Sequence, residues 1–238
     1  MVTCMESNSP IRQRNWEPLR DVLAEAERTQ TAAGYFNATE LVGLKGIASA
    51  ALELQLPVIV GASEKERVFS GVRQIAALVL SIREEHDFPI FLNADHTHSL
   101  RTAVEAARAG FDAVGYPGPA VRNMHGLTPE IIAGRKKKRL NIERIRAIRS
   151  ATDSYLTLHG GSGTNDRDFQ CAIKAGITVI HINTGIRIAL KDGLAEGLAR
   201  HKGDVIPYVM LQPAVEAVRQ VVRARLRLFN SSAAAAAE

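Results

Sequence analysis

Three histidines are spaced so that they could bind one metal ion. His96, His125 and His159 lie 29 and 34 residues apart in the 238-residue chain. Zinc binds imidazole nitrogen readily, and a catalytic zinc site uses three protein ligands and leaves one position open. A spacing of about one βα unit, roughly 30 residues, would place the three side chains at the ends of consecutive strands. The spacing alone is equally compatible with three unrelated histidines.

Further polar residues follow apolar segments that predict strands. Asn37, Ser63, Asp95, His181 and Asn183 each stand at or just after such a segment. In a βα fold the carboxyl ends of parallel strands meet at one edge, where the loops converge into a site. A single histidine at a strand end is more often structural, but four such histidines favour a site. Asn37 or Ser63 alone would be uninformative, because either could end a strand or cap a helix.

Predicted strands and helices alternate along the chain. Apolar segments that predict strands cover residues 34–37, 57–63, 89–94, 111–114, 155–158 and 177–182. Helices are predicted over residues 16–29, 40–54, 65–86, 99–109, 141–150 and 166–174, and long helices close the chain. Continuous apolar runs are typical of strands covered on both faces. The repeated βα pattern therefore favours a parallel sheet or a barrel.

Composition narrows the class of protein. A chain that is 46% hydrophobic and only 5% aromatic suits an α/β protein better than an all-β sandwich. The length fits one domain over residues 1–230, followed by a low-complexity tail at 231–238. Cys4 and Cys171 form no disulfide framework and no CxxC metal motif. No apolar run reaches the about 18–20 residues of a membrane span, so we expect a cytoplasmic protein with no membrane partner.

The net charge of +5 and the pI of about 9.4 raise the question of a nucleic-acid partner. A nucleic-acid binder would concentrate basic residues on one face with aromatic residues between them. The one dense basic run, Arg135–Arg139, has no aromatic residue nearby. It is either a solvated loop or helix start, or a patch that steers an anionic phosphorylated substrate. We expect no nucleic-acid partner, and keep polyanion binding as the weakest alternative.

The residues around the three histidines resemble those of class II, zinc-dependent fructose-bisphosphate aldolases. The matching segments are Asn93–Thr97, Asn123–Gly126, Leu158–Gly163 and Gly176–Thr184, together with Asn37 and Arg187. Their combination is specific, although no single segment is. The resemblance extends from about Trp16 to Asn230 apart from one gap, and it implies a TIM-type (β/α)8 barrel. It also implies a phosphorylated sugar substrate and a homodimer or homotetramer.

The resemblance implies a role for each residue of the reaction site. His96, His125 and His159 would hold zinc, which polarises the ketose carbonyl and stabilises the enediolate left by carbon–carbon cleavage. Asp95 would exchange a proton with the hydroxyl on the carbon that is cleaved. Residues implied to contact substrate are Asn37, Ser63, Gly126, Gly160, Ser162, His181 and Asn183.

A phosphate site is implied by the turn Gly160–Gly163. The turn precedes a helix predicted from about Asp166, so its backbone N–H groups could cradle a phosphate, although such a sequence is also a common flexible turn. Gly126 would lie on the other side of that phosphate. In this family, backbone carbonyls nearby can also hold a monovalent cation (Na⁺ or K⁺).

The sequence departs from the family at its last strand. The usual pattern is Asn-Ile-Asp-Thr-Asp or Asn-Ile-Ala-Thr-Glu, but here His181 stands at the Asn and Asn183 at the Asp or Ala. Positions 181 and 183 point to the same side of a strand, so both can still face substrate. Gly185 replaces the usual acid. Because sugar stereochemistry is judged in this region, fructose and tagatose bisphosphate both remain candidate substrates.

A second departure lies in the centre of the chain. Residues 111–114 resemble the start of the family's fourth strand, and 119–125 resemble the end of its sixth. About two βα units are therefore missing, with a hybrid strand over 111–124. The missing stretch would carry a glutamate that can ligate zinc and the acidic residue that moves the enediolate proton. Either the chain has lost this segment and is impaired, or it closes a smaller barrel and keeps the three-histidine site.

These observations predict a lyase of glycolysis or gluconeogenesis. We expect reversible cleavage of fructose 1,6-bisphosphate to dihydroxyacetone phosphate and glyceraldehyde 3-phosphate. The alternatives are a tagatose-bisphosphate aldolase, which differs in selectivity at one carbon, and a non-catalytic homologue that binds zinc or a phosphosugar.

Overall fold

The computed structural model describes residues 16–115 and 139–231. The strands in these ranges are β1 (Ala33–Asn37), β2 (Val58–Ser63), β3 (Ile90–Asp95), β4 (Ala113–Val114), β5 (Leu156–Leu158) and β6 (Ile177–Ile182). The helices are α1 (Leu19–Arg28), α2 (Leu41–Leu54), α3 (Glu64–Ser70), α4 (Val72–His86), α5 (Leu100–Ala109), α6 (Ile142–Ser150), α7 (Asp166–Lys174), α8 (Thr184–Arg200) and α9 (Pro207–Phe229). None of these helices combines the length and apolar character needed to cross a bilayer.

All six strands are parallel and form one sheet in the order β4-β3-β2-β1-β6-β5. β1 lies inside the sheet and pairs with both β2 and β6, so the first and last of the described strands are neighbours. Parallel pairing brings the carboxyl ends of these strands to one edge. Ser63 at the end of β2, for example, is in register with Asp95 at the end of β3.

The two faces of the sheet are covered differently. On one face, buried Phe36, Val60, Leu92 and Ile180 pack into a large core with the helices. On the other, Tyr35, Ile59, Phe91 and Val179 form a smaller cluster against Trp16 and apolar residues of α1. Because side chains alternate along a strand, positions 37, 63, 95 and 181 follow those of the smaller cluster on this second face. The sequence period therefore places the polar strand ends on one side of the sheet.

The architecture agrees in part with the predicted barrel. The described strands form an α/β half-barrel of six parallel strands, consistent with a TIM-type fold that lacks some of its units. Within the described ranges, β4 and β5 are the edges and do not pair with each other. Of the hybrid strand predicted over 111–124, the described part contains Ala113–Val114, and the remainder lies outside the described residues.

The prediction of a single helix over residues 65–86 is wrong. Residues 65–86 form α3 and α4, which are separated by Gly71. Gly71 has a φ of +82°, a conformation that favours glycine, and its N–H closes α3 on the carbonyl of Arg67. α3 begins directly after β2, so its first turn lies at the edge where the strands end.

Candidate active site

The polar residues at the ends of the strands surround a cleft of about 320 Å³. Ser63 and Asp95 come from β2 and β3, and His181 comes from β6. His159 follows β5 directly, and α8 begins just after Asn183. The residues that line the cleft are Ser63, Asp95, His96, His159, Gly160, Ser162, His181, Asn183, Thr184 and Arg187.

Three of these residues offer donor atoms to a metal ion. One ligand atom each of Asp95, His96 and His159 lies within 4.8 Å of the other two. The rings of His96 and His159 have centroids 5.2 Å apart, and Nε2 of His96 is 3.5 Å from Oδ1 of Asp95. Imidazole nitrogen and carboxylate oxygen are donors that zinc accepts. The third predicted ligand, His125, lies outside the described residues.

A buried arginine fixes the turn that carries Asp95 and His96. Arg67, 2% exposed, donates hydrogen bonds to the carbonyl oxygens of Ala62 (2.5 Å) and Asp95 (3.2 Å) and to Oγ1 of Thr97 (3.0 Å). Burial lowers the pKa of the Arg67 guanidinium. His96, between two residues held in this way, has a φ of +45°. The direction of the His96 side chain therefore depends on a strained backbone conformation that Arg67 helps to hold.

The carboxylate of Glu66 accepts three hydrogen bonds behind the cleft. Its Oε2 accepts from the backbone N–H of Ser63 and from Nδ2 of Asn37, both at 2.7 Å, and its Oε1 accepts from Arg187 at 2.5 Å. Burial acts to raise the pKa of Glu66, but the hydrogen bonds from Ser63, Arg187 and Asn37 together lower it. Glu66 is therefore ionised at neutral pH and anchors the start of α3 to β1 and α8.

His181 stands where the family usually has asparagine, and it contacts two site residues. Its Nε2 hydrogen-bonds Oδ1 of Asn37, and its Nδ1 is 3.0 Å from Nδ1 of His159. The imidazole stacks on the Tyr35 ring at a centroid distance of 4.2 Å and an angle of 21°. Burial and the nearby charge of Asp95 raise the pKa of Tyr35, so the phenol is neutral. Its hydroxyl accepts a hydrogen bond from Asn93 Nδ2 at 2.7 Å.

The glycine-rich turn is attached to the start of α8. Gly161 donates its N–H to the carbonyl of His181 at 3.0 Å, and Oγ of Ser162 accepts from the N–H of Gly185 at 3.1 Å. Gly160 has a φ of +67° and lines the cleft. The predicted phosphate cradle therefore cannot use the Gly161 N–H, and the other N–H groups of the turn would have to serve. The following helix, α7, begins at Asp166 as predicted.

Most of the predicted site residues come together in space. Eight of them line the cleft: Ser63, Asp95, His96, His159, Gly160, Ser162, His181 and Asn183. Asn37 lies behind the wall, where it contacts Glu66, Asp95 and His181. Ser63 also occupies the N-cap position of α3, so the capping alternative holds as well. His125 and Gly126 lie outside the described residues.

Sequence reasoning missed Tyr35, Glu66 and Arg67. One signal was present for Glu66. The spacing of Ser63 and Glu66 is that of a capping box, in which the glutamate reaches back to the N-cap backbone. That pattern locates the start of a helix, but it does not reveal that the same carboxylate also binds Asn37 and Arg187.

The parallel strands of the described residues bring imidazole and carboxylate groups together in one cleft, as the resemblance predicts. The comparison with known families agrees. The chain belongs to the class II fructose-bisphosphate aldolase family, whose sequence profile matches residues 17–118 and 116–234.

Individual relatives in this family are distant. The 6-phospho-5-dehydro-2-deoxy-D-gluconate aldolase of Bacillus subtilis is 28% identical over 280 aligned positions, which cover 92% of this chain and 97% of that protein. The fructose-bisphosphate aldolase of Geobacillus stearothermophilus is 26% identical over 281 positions, covering 92% and 98%.

Solved structures support the fold. The YdjI aldolase from Escherichia coli K12 superposes with a TM-score of 0.76 at 19% identity, covering 92% of this chain and 99% of that one. The fructose-bisphosphate aldolase of Campylobacter jejuni gives a TM-score of 0.68 at 15% identity, covering 89% and 94%.

The same comparisons bear on the missing central units. The two alignments, at 280 and 281 positions, are longer than the whole 238-residue chain, so the relatives contain stretches that this chain lacks. The family match is also in two pieces that meet at residues 116–118. At this point of the sequence, the resemblance to the family's fourth strand ends and the resemblance to the end of its sixth strand begins.

Proposed function

We propose that this protein is a zinc-dependent class II aldolase that reversibly cleaves fructose 1,6-bisphosphate to dihydroxyacetone phosphate and glyceraldehyde 3-phosphate. The observation that carries this proposal is the grouping of Asp95, His96 and His159 donor atoms, all within 4.8 Å of one another, in an open cleft at the strand ends. Family membership supports aldol cleavage as the reaction class.

The donor set fits a zinc ion. His96 and His159 supply two imidazoles, and His125 would supply the third ligand of the open catalytic arrangement. Asp95 is the neighbouring carboxylate and would remain free for proton transfer. A zinc ion bound here would polarise the substrate carbonyl and stabilise the negative charge that develops when the carbon–carbon bond breaks.

The surroundings of Asp95 support a role in proton transfer. Its side chain is buried, with Oδ2 at 3.5 Å from Nδ2 of Asn37 and 4.0 Å from Nε2 of His181. In cleavage, the carboxylate would accept the proton of the substrate hydroxyl as the carbon–carbon bond breaks and the aldehyde forms; in synthesis it would return that proton. Asn37 would orient the carboxylate from behind the wall, and His181, which lines the cleft, would contact the substrate.

The rest of the cleft suits a phosphorylated sugar. Gly160, Ser162 and Asn183 would bind one phosphate end, and Ser63 and Arg187 also line the cleft. The acidic residue that the resemblance assigns to the second proton transfer belongs to the missing stretch. Loss of a general base typically costs a factor of ~10²–10⁴ in rate, so we expect slow turnover. We also propose a cytoplasmic homo-oligomer.

A second substrate has specific support. Relatives named 6-phospho-5-dehydro-2-deoxy-D-gluconate aldolase are 25–28% identical to this chain, as similar as the fructose-bisphosphate aldolases at 24–26%. His181 and Gly185 replace the residues with which the family usually judges sugar stereochemistry. Tagatose 1,6-bisphosphate remains a third candidate on the same ground.

The test is to measure cleavage of the three substrates by the zinc-loaded protein before and after a chelator. Chelator-sensitive cleavage with the highest kcat/KM on fructose 1,6-bisphosphate is expected. A preference for either other substrate would reassign the specificity. Stoichiometric zinc without cleavage of any of them would leave a non-catalytic homologue, and absence of bound zinc would refute the metal site.

A further inference from the structure

Arg187 carries the permanent positive charge on the wall of the cleft. Of the described residues that line the cleft, it is the one lysine or arginine, and 61% of its side chain is exposed. A guanidinium stays protonated at any pH at which the protein is folded. An anionic substrate that enters the cleft is therefore attracted to this side chain.

The guanidinium of Arg187 lies away from the glycine-rich turn. It donates to Oε1 of Glu66, whose Oε2 accepts from Asn37 at the end of β1. The turn Gly160–Gly163 follows β5, and β6 lies between β5 and β1. Because neighbouring strands are about 4.8 Å apart, the ends of β1 and β5 are about 10 Å apart along the sheet. The turn and Arg187 can therefore meet opposite ends of one extended sugar bisphosphate.

The carboxylate that contacts Arg187 is itself held in place. Oε2 of Glu66 accepts from the backbone N–H of Ser63 and from Nδ2 of Asn37, both at 2.7 Å. The Glu66 side chain is only 7% exposed. Buried groups keep such partners, because losing a hydrogen bond away from water is costly. Oε1 of Glu66 is thus a fixed point against which Arg187 is oriented.

The contact leaves most of the guanidinium available to a ligand. Glu66 accepts from Nη2 at 2.5 Å, and no other group within residues 16–115 and 139–231 accepts from the Arg187 side chain. An arginine has five N–H donors in a planar fork. The remaining donors are therefore free, while the one hydrogen bond restricts the direction in which they point.

The cost of ordering an arginine gives this arrangement its function. An exposed arginine without a partner samples many rotamers, and fixing it when a ligand binds reduces the affinity. We propose that Glu66 is a positioning residue that orients Arg187 toward the second phosphate of the sugar and so sets the preference of the cleft for a doubly phosphorylated ketose. This inference rests on the proposed function for the choice of sugar. Glu66 lies behind the wall and acts only through Arg187.

Two other roles for Glu66 make different predictions. As a purely structural residue it would anchor α3 to β1 and α8, and its loss would weaken the binding of every sugar alike. As a competitor for Arg187 it would keep the guanidinium from the substrate, and its loss would strengthen the binding of the second phosphate. The single contact to Nη2 favours positioning, because most donors stay free.

The test compares two sugars that differ only at the second phosphate. Fructose 1,6-bisphosphate carries this group, and fructose 1-phosphate has a hydroxyl in its place. Calorimetry on the full chain, with a chelator present so that neither sugar is cleaved, gives both dissociation constants. The unsubstituted protein should bind the bisphosphate about 10–150-fold more tightly, the usual contribution of hydrogen bonds to a charged group.

Substitutions at the two residues separate the roles. Arg187→Gln should abolish the preference for the bisphosphate. Glu66→Gln should reduce that preference by about 5–30-fold, because the cost of ordering one long side chain returns, and should leave the affinity for fructose 1-phosphate unchanged. The double variant should bind both sugars as Arg187→Gln alone does, because Glu66 acts through Arg187.

Asp112→Asn is the matched control for a loss of stability. Asp112 also accepts from a backbone N–H, that of Leu92, and from a guanidinium, that of Arg83. It does not line the cleft. This variant should therefore lose stability and keep the full preference for the bisphosphate.

Four results would overturn the inference. They are equal weakening of both sugars in Glu66→Gln, tighter binding of the bisphosphate in that variant, additive effects in the double variant, and no preference in the unsubstituted protein. Failure of the proposed function has a different signature. A zinc-loaded protein that cleaves no sugar can still show the preference and its dependence on Glu66, whereas cleavage without the preference would refute only the inference.

Discussion

The guanidinium of Arg187 donates a hydrogen bond to Oε1 of Glu66 at 2.5 Å, although 121 residues separate the two in sequence. Arg187 belongs to the first turn of α8 and Glu66 to the first turn of α3. The Glu66 side chain is buried, whereas 61% of the Arg187 side chain is exposed. The pair therefore joins α3, which follows β2, to α8, which follows β6, at the rim of the cleft.

Glu66→Gln should destabilise the protein in a pH-dependent way. The hydrogen bonds to the carboxylate lower the pKa of Glu66 in the folded state. Such a group adds stability above its unfolded pKa of about 4.3 and loses it as the pH falls through the lower folded pKa. We expect a difference of about 1.5–3 kcal/mol in unfolding free energy at pH 7, shrinking below pH 4. Urea unfolding at several pH values measures the difference in unfolding free energy. A difference that does not change with pH would contradict the lowered pKa of Glu66 in the folded state.

Asp95→Asn should abolish most of the activity and leave the metal in place. The amide cannot accept the proton of the substrate hydroxyl, so kcat should fall by a factor of ~10²–10⁴. Zinc content and the folded circular dichroism spectrum should not change. If the substituted protein loses its zinc instead, Asp95 is a ligand and the proton-transfer role has to be reassigned.

His96→Ala should remove the bound zinc, because a three-ligand site with one ligand lost binds far more weakly. The matched control is His98→Ala, two residues along the chain. His98 is exposed, and its ring nitrogen is 4.0 Å from Glu64. Metal analysis of the purified proteins should find about one zinc per chain in the control and none in His96→Ala. Equal zinc in both would rule out His96 as a ligand.

Gly161→Ala should disturb the turn that follows His159. A Cβ at Gly161 would lie 2.8 Å from Cδ1 of Ile182 and 3.0 Å from the carbonyl oxygen of His181. We expect a loss of about 1–3 kcal/mol in unfolding free energy, the usual cost of overpacking. A Cβ at Gly203 would meet nothing within 4 Å, so Gly203→Ala is the control and should stay within about 0.5 kcal/mol. Equal effects would mean that the turn has room to relax.

Periodicity and the segments around the histidines predicted much of this protein. The predicted bounds of β6 and α7 agree with the structure residue for residue, because a continuous apolar run and a well-flanked amphipathic stretch leave little choice. The polar strand ends were correctly placed on one edge, since the direction of parallel strands requires it.

The supporting network was not predictable in the same way. Glu66 and Arg67 belong to a charged segment that is typical of an exposed helix surface, yet both are buried. Their partners are Asn37 at the end of β1 and Thr97 just after β3, and local periodicity carries no information about which polar groups meet across a sheet. The break at Gly71 was missed because an isolated glycine lowers helix stability without determining whether the helix ends.

The contact between Asn37 and His181 has a consequence for synthesis on the ribosome. The two residues are 144 positions apart, and they belong to the paired strands β1 and β6. At a translation rate of about 5–20 residues per second, synthesis of these 144 positions takes about 7–30 s, and β1 lacks this neighbour for at least that time. Throughout that interval the nascent chain has an unpaired strand edge, which is a template for association with other chains. We therefore expect newly made protein to depend on chaperones until the last strand is inserted beside the first.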